Sequence, residues 1–349
     1  MLGFAAQSLG IQCMFLDPSQ DPPAAVAGPV ISEAFDSLDA LAKLARDCDV
    51  ITYEFENVPV ASVMAVEADC RISPPPAALE YAQDRLAEKQ LFESLQIPVP
   101  GFRVVDSTAD LRQAAEALGV PLVVKTRRFG YDGKGQAILR DTADADAVVS
   151  ELGGSGLIAE QFVRFDREVS AIGVRAVSGQ IVTYPLSQNQ HREGILRVSR
   201  APAEDGRIGA AANDYLYRLL TKLNYVGVLA LELFVCGDSL FANEFAPRVH
   251  NSGHWTIEGA NVSQFENHIR AVTGMPVVEP SLYGFPGMIN IIGTMPFDKE
   301  LFHKSAAVLH DYGKSPRPGR KLGHATVIGN SISDRDARLT GLQMALDES

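Results

Sequence analysis

Between Val226 and Phe245 the chain reads VGVLALELFVCGDSLFANEF, and no other stretch leaves a folding chain so few choices. Val226 to Val235 is a mostly apolar run, which predicts a strand buried on both faces. Gly237 and Asp238 predict a turn, and SLFANEF returns as a second strand. Such a strand needs cover on both faces of its sheet. Glu232 interrupts the run, and a carboxylate there must be paired, protonated or bound to a cation, because burying it bare is very costly. With a three-residue loop, Gly237–Ser239, Cys236 faces Leu240 and Glu232 faces Glu244. Acids opposite each other repel unless a cation lies between them. Together with Asn243 they form a hard, oxygen-rich set suited to magnesium carrying phosphates. An ion pair from Glu232 to an arginine is the plainer alternative.

The continuation, NEFAPRVHNSGHWT, brings Arg248, His250 and His254 directly after that strand. A guanidinium binds phosphate or carboxylate in bidentate fashion, so Arg248 suits an anion clamp. His250 and His254 could instead be zinc ligands. Asn251, Ser252 and Gly253 make a poor helix between them, however, and no third ligand stands at a recognisable spacing.

A second candidate is FGYDGKGQ, Phe129 to Gln136, with Gly130, Gly133, Gly135 and Lys134 between two apparent strands, PLVVKT and QAILR. Glycines let backbone amides approach phosphate oxygens, and Lys125 emerges from the preceding buried strand to meet them. The spacing is not that of a Walker A loop, and a plain glycine-rich hairpin has the same pattern.

A length of 349 residues suits two or three compact units, and 46% hydrophobic with 21% charged residues is ordinary globular composition. A net charge of −12 argues against a nucleic-acid polymer as partner. Positive charge is nevertheless concentrated in two islands: Lys125, Arg127, Arg128 and Lys134, then Lys314, Arg317, Arg320 and Lys321. Islands of this kind in an acidic chain fit a small polyanion in a cleft, or simply solvated loops. The longest charge-free stretch, Pro280 to Phe297, is broken by Pro286, Pro296 and three glycines, which argues against a membrane helix. No secretory signal opens the chain, and Cys13, Cys48, Cys70 and Cys236 form no CxxC pair. Reduced, buried thiols in a cytoplasmic protein are the expectation.

The first third alternates strand and helix: Ile11–Leu16, Leu38–Arg46, then Asp49–Phe55 ending in Glu54, Glu56 and Asn57. This predicts a parallel α/β sheet with EFEN at a strand's carboxyl end, where ligands sit. A helix-like stretch precedes Ile11 with no strand before it, so the expectation is that the first strand and its turn are absent. SPPPAA at 73–78 marks a boundary. Helices are expected at Asp84–Leu95, Leu111–Leu118, Asp144–Glu151 and Asn213–Leu223, and short strands and turns from Pro286 onward.

Taken in order, TYEFENV, DRLAEKQLF, VVKTRRFGYDGKGQ, AEQFV, YPLSQNQH, LALELF, NEFAPRVHNSGHWT and RPGRKLGH resemble the ATP-grasp superfamily, and within it the 5-(carboxyamino)imidazole ribonucleotide synthase family. The resemblance runs over nearly the whole chain and implies a mixed α/β and α+β architecture of three domains. These are an N-terminal parallel α/β domain (1–84), a central ATP-grasp domain (85–285) with a mobile lid at about 103–162, and a small β-rich C-terminal domain (286–349). It also implies the reaction. ATP phosphorylates bicarbonate to carboxyphosphate, which carboxylates the 5-amino group of aminoimidazole ribonucleotide in purine synthesis. A cytoplasmic homodimer is implied as well.

By the same resemblance, Arg85, Lys125 and the loop Gly130, Tyr131, Asp132, Gly133, Lys134, Gly135 and Gln136 contact ATP. Glu160, Gln161, Phe162 and Val163 match the hinge whose backbone reads adenine, and Glu168 the acid on the ribose. His191 and Asn243 match further nucleotide contacts, and Glu232 and Glu244 the magnesium ligands. Arg248, His250, Asp132 and Lys321 are expected at the reacting centre. Glu54, Tyr131, Asp132, Lys134, Lys314, Arg320 and Lys321 are expected around the ribonucleotide.

Only Met1 and Leu2 match the end of the family's opening GxGQLGRM turn, so weakened ribonucleotide binding is a further expectation. Three other readings stand beside this one: a formate-using glycinamide ribonucleotide ligase of the same superfamily, a nucleotide-binding module without turnover, and a zinc hydrolase.

Overall fold

The computed structural model describes residues 1–128, 130, 135–203, 206–297 and 299–348. Its N-terminal segment runs α1 (Leu2–Ser8), β1 (Phe15–Leu16), β2 (Val30–Ile31), α2 (Leu38–Asp47), β3 (Val50–Ile51), α3 (Val60–Met64), β4 (Arg71–Ile72) and α4 (Pro76–Ala82). β1 pairs with β2 and β3 with β4, both in parallel, so the alternation read from the sequence is present. The ladders are two residues long, shorter than the apolar runs suggest. β3 ends where Thr52 turns its hydroxyl to within 2.8 Å of His268 Nε2. α1 buries Leu2 and Ala6 in a core shared with Phe265 and Ile269. Helix α5 (Arg85–Ser94) follows, capped by Asp84, whose carboxylate accepts the Leu86 and Ala87 amides.

Residues 102–161 build a sheet of their own. β5 (Phe102–Val105), α6 (Thr108–Leu118), β6 (Leu122–Thr126), β7 (Gln136–Leu139), α7 (Ala145–Glu151) and β8 (Leu157–Gln161) give the antiparallel order β5-β8-β6-β7. Leu111, Leu122, Val124, Leu139 and Leu157 fill its core.

The remaining strands form one antiparallel sheet. They are β9 (Arg167–Arg175), β10 (Ile181–Thr183), β11 (Ser187–Arg192), β12 (Ile195–Arg200), β13 (Gly227–Cys236), β14 (Ser239–Ala246), β15 (Phe285–Ile292), β16 (Val308–Asp311) and β17 (Lys321–Gly329). The order is β14-β13-β9-β11-β12-β15-β17-β16, with β10 also on β9. Helix α8 (Gly206–Lys222) covers one face through Leu216, Leu219 and Leu220. On the other lie α9 (Thr256–Gly259) and α10 (Gln264–Thr273), with Phe265 and Ile269 against Ile172 and Val228. The strands after residue 285 are therefore continuous with the central sheet through β12 and β15, where Val198 pairs with Ile289. Helix α11 (Glu300–Lys304) lies between β15 and β16, and α12 (Ile332–Asp347) follows β17. The sequence does not announce α12, because only Arg335, Leu339 and Leu342 of its 16 residues are buried.

The β13–β14 hairpin corrects the expected loop. Its turn is two residues, Gly237–Asp238, with Gly237 at φ +56° and Cys236 opposite Ser239. That register alone would place Glu232 opposite Asn243. A β-bulge at Asn243 restores the opposition of Glu232 and Glu244. All four cysteines are free, but only Cys70 is buried; Cys13, Cys48 and Cys236 are partly exposed, against expectation. No helix among the described residues is long and apolar enough to cross a membrane.

Candidate functional site

Antiparallel pairing of β6 and β8 brings Lys125 and Glu160 to one face, with Lys125 Nζ 3.1 Å from Glu160 Oε2. Lys89, reaching in from α5, lies 3.4 Å from the same oxygen. Burial alone would raise the Glu160 carboxyl, but Lys125 and Lys89 outweigh it and hold the group down to about 2. Burial pushes the Lys125 ammonium below its ordinary value, because it shares its one carboxylate with a second lysine. The expectation for Glu160 concerns its backbone; its side chain, besides, anchors Lys125, and Oε1 is buried without a partner.

Arg85, the first residue of α5, donates to Glu244 Oε2 at 2.9 Å and to the Gly130 carbonyl at 3.4 Å. Gly135 closes the loop with φ +68°, its carbonyl accepting the Thr126 amide. A Cβ there would lie 2.7 Å from Thr126 Oγ1. Gln136 opens β7 opposite Lys125. Tyr131, Asp132, Gly133 and Lys134 lie outside the described residues. The described members of the first basic island, Lys125, Arg127 and Arg128, do not converge on one anion. Arg127 is held by both oxygens of Asp84, at 3.1 and 2.6 Å, and Arg128 leans on Gln83 and Asp84.

Glu232 and Glu244 face each other across β13 and β14. Glu232 Oε1 lies 3.0 Å from His250 Nε2. The Ser252 amide donates to His250 Nδ1, which leaves Nε2 as the donor to Glu232. Burial works against the Glu232 charge, but His250, with His191 and Arg248 nearby, holds its carboxyl well below the usual range. The partner is thus a histidine, not the arginine of the plainer reading. Arg248 grips Glu56 with Nε at 2.9 Å and Nη2 at 2.8 Å, tying this strand end to EFEN. Both amide atoms of Asn251, three residues beyond Arg248, are buried without a partner.

Gln161, Phe162 and Val163 line a cleft of about 240 Å³ with Val99, Pro100, Gly101, Arg164 and Phe241. Glu168 and His191 are bonded to each other, Oε2 to Nδ1 at 2.6 Å, and burial notwithstanding, the Glu168 contact raises the imidazole's affinity for a proton. Asn243 is the bulge residue between the two acids. From the other side, Lys314 feels the charges of Arg320, Glu54 and Lys321, and Lys321 also acts on His191. The structure thus gathers Glu54, Lys314, Arg320 and Lys321 from opposite ends of the chain.

The two histidines of the zinc reading share no ligand position. His254 is buried, takes the Gln264 amide at its Nδ1 and packs on Phe265 and His324. Glu258, His310 and His324 do bring ligand atoms within 4.8 Å of one another. Yet His310 Nε2 is 2.5 Å from Glu258 Oε1, a direct hydrogen bond, whereas ligands about 2.0–2.1 Å from one tetrahedral ion stand about 3.3 Å apart.

Sequence reading passed over Glu56, Glu88, Lys89 and Asn251 as individual site residues. A signal was available for two of them. Glu88 and Lys89 stand three residues before Leu91 and Phe92 respectively, on the apolar stripe of α5, where charged side chains need partners.

Two antiparallel sheets, with a buried lysine on one and facing carboxylates on the other, are the arrangement of an ATP-grasp protein. The ATP-grasp domain family matches residues 90–265, the ribonucleotide synthetase preATP-grasp domain residues 1–83, and the phosphoribosylaminoimidazole carboxylase C-terminal domain residues 287–338. The N5-carboxyaminoimidazole ribonucleotide synthase of Pseudomonas aeruginosa is 44% identical over 347 residues, spanning 99% of this chain and 96% of that protein. The crystal structure of the Thermus thermophilus synthetase superposes with a TM-score of 0.94 at 44% identity, covering 99% of this chain and 94% of that one. The Aspergillus clavatus synthase in complex with ADP and 5-aminoimidazole ribonucleotide superposes with a TM-score of 0.89 at 28% identity, covering 100% and 96%. The chain belongs to the N5-carboxyaminoimidazole ribonucleotide synthase family.

Proposed function

We propose that the chain carboxylates the 5-amino group of aminoimidazole ribonucleotide, using ATP and bicarbonate. A bicarbonate oxygen attacks the γ-phosphorus of ATP, the bond to the β–γ bridging oxygen breaks, and ADP leaves with the electron pair. The amine nitrogen then attacks the carboxyl carbon of carboxyphosphate, the carbon–oxygen bond to phosphorus breaks, and phosphate and one amine proton are released. The observation that carries this reading is the facing pair Glu232 and Glu244, with Arg248 and Asn251 directly beyond them.

The donor set of two carboxylates and Asn243 fits a hard divalent cation. Glu232 and Glu244 would hold magnesium, which when bound screens the triphosphate and favours attack at the γ-phosphorus. Lys125, fixed by Glu160, meets the phosphates, and Gln161 to Val163 take the base through their backbone. Glu168 accepts from the ribose, with His191 beside it. Arg248, its fork fixed by Glu56, and the unsatisfied Asn251 amide offer charge and hydrogen bonds to the carboxyphosphate. Lys314, Arg320 and Lys321 supply cations for the ribonucleotide phosphate, and Glu54 accepts from amino groups. The test is phosphate release from ATP with bicarbonate, with and without aminoimidazole ribonucleotide. Strong dependence on that nucleotide supports the reading. Stimulation by glycinamide ribonucleotide with formate instead, or no turnover under either condition, overturns it.

A further inference from the structure

β14 is the edge of the central sheet, so half of its backbone groups point away from β13. At Asn243 the ladder is also broken by the bulge. The groups released there are met by α5 and the residue Pro98. Lys89 Nζ donates to the Asn243 carbonyl at 2.8 Å and the Ala242 carbonyl at 3.3 Å. The Phe245 amide donates to Glu88 Oε1 at 2.7 Å, and the Ala242 amide to the Pro98 carbonyl at 2.7 Å. Glu88 and Lys89 are 2% and 1% exposed, an enclosure that charged side chains rarely accept unless paired.

The bulge decides which way the second acid points. Without it, the register set by Val235 opposite Leu240 would place Asn243 opposite Glu232 and turn Glu244 to the other face, because one residue of slip inverts a strand. We infer that Glu88 and Lys89 are positioning residues for the metal site: by bonding the backbone of 242–245, they hold the bulge that keeps Glu244 beside Glu232. Lys89 also bonds Glu160, so the same side chain links the bulge to the anchor of Lys125. This inference rests on the proposal that Glu232 and Glu244 hold magnesium.

The experiment measures Mn²⁺ affinity by electron paramagnetic resonance, with ADP present, in wild type, Lys89→Met, Glu88→Leu, Glu88→Gln and Glu244→Gln. Metal-free ADP affinity in EDTA and the split between metal requirement and kcat complete it. Lys89→Met and Glu88→Leu are expected to weaken Mn²⁺ at least tenfold, with ADP affinity in EDTA within threefold of wild type. Glu88→Gln, which keeps an oxygen acceptor for the Phe245 amide, should restore Mn²⁺ affinity to within threefold. In the two weakened variants the metal needed for half-maximal turnover should rise more than kcat at saturating metal falls. Wild-type Mn²⁺ affinity in Lys89→Met and Glu88→Leu overturns the inference. If wild type and Glu244→Gln bind Mn²⁺ alike, the metal reading fails and takes the inference with it. Should Lys89→Met not fold, Glu88→Leu against Glu88→Gln decides alone: equal affinities overturn it.

Discussion

Replacing Glu160 by glutamine removes the charge from the one oxygen that two enclosed lysines share, while leaving shape almost unchanged. Lys125 and Lys89 stand 3.1 and 3.4 Å from Oε2, and at an effective dielectric of about 20 each contact is worth roughly 5 kcal/mol of attraction. Much of that offsets desolvation, so the measurable quantity is the penalty for leaving buried cations uncompensated, about 3–5 kcal/mol. Lys125, already pushed down by burial, can shed its proton in the variant and so recover part of this. A loss of about 3 kcal/mol at pH 7, the lower end of the range, is therefore expected. The chain has a single tryptophan, Trp255, fully buried with its indole N–H on Ser187, so its fluorescence in a urea titration reads the loss directly. The pH profile supplies the sign. A carboxyl depressed from 4.5 to about 2 contributes stability that is present above 4.5 and lost as pH falls toward 2. The gap between wild type and Glu160→Gln should narrow over that interval. A variant within 0.5 kcal/mol of wild type at pH 7 (about the scatter of surface substitutions), or a gap constant into acid, would refute the reasoning.

Three further expectations follow from the same geometry. Glu244→Gln should lower ATP turnover more than about 100-fold, beyond what the loss of a supporting metal-site residue costs. Its stability should change by less than about 1 kcal/mol, because the Glu244 side chain is 43% exposed and its pair with Arg85 is partly solvated; phosphate release and urea unfolding read the two separately. Glu88 is pushed up to about 8, first by burial and then by the Glu244 charge, so its contribution is full below 4.5 and lost as pH rises toward 8. Glu88→Gln should abolish that slope of about 1.4 kcal/mol per pH unit in unfolding measured from pH 5 to 8.5. Gly135→Ala forces a left-handed backbone and a contact with Thr126, and should cost about 1–2 kcal/mol with a raised KM for ATP; an unchanged melting temperature and KM would count against it.

The hairpin shows how much of this was legible in the sequence. An acid interrupting an apolar strand demands a partner, and a three-residue loop pointed to Glu244 as the residue facing it. The loop was nevertheless misjudged by one residue, and an unforeseen bulge cancelled the error. Bulges are held by groups from elsewhere in the fold, here Glu88 and Lys89, so periodicity along the strand carries no trace of them. The position of Arg248 suggested an anion clamp, but not its clasp on Glu56, which joins residues 192 positions apart. Helix α12 escaped because it buries so little. The continuity of the last strands with the central sheet escaped because pairing partners of β15 cannot be read from β15.

That continuity bears on how the molecule could be dissected. Because β15 hydrogen-bonds to β12, a cut before Phe285 would strip the neighbour from a strand in the middle of the plate and leave Val198 and its backbone bare. The nucleotide half would not be released as a tidy fragment; it would carry an adhesive flank, prone to recruit another chain in place of its own lost one. The same joint places the strand that opens with Lys321 and the hairpin that carries Glu232 and Glu244 in one sheet, so both ends of the site share a single backbone ladder.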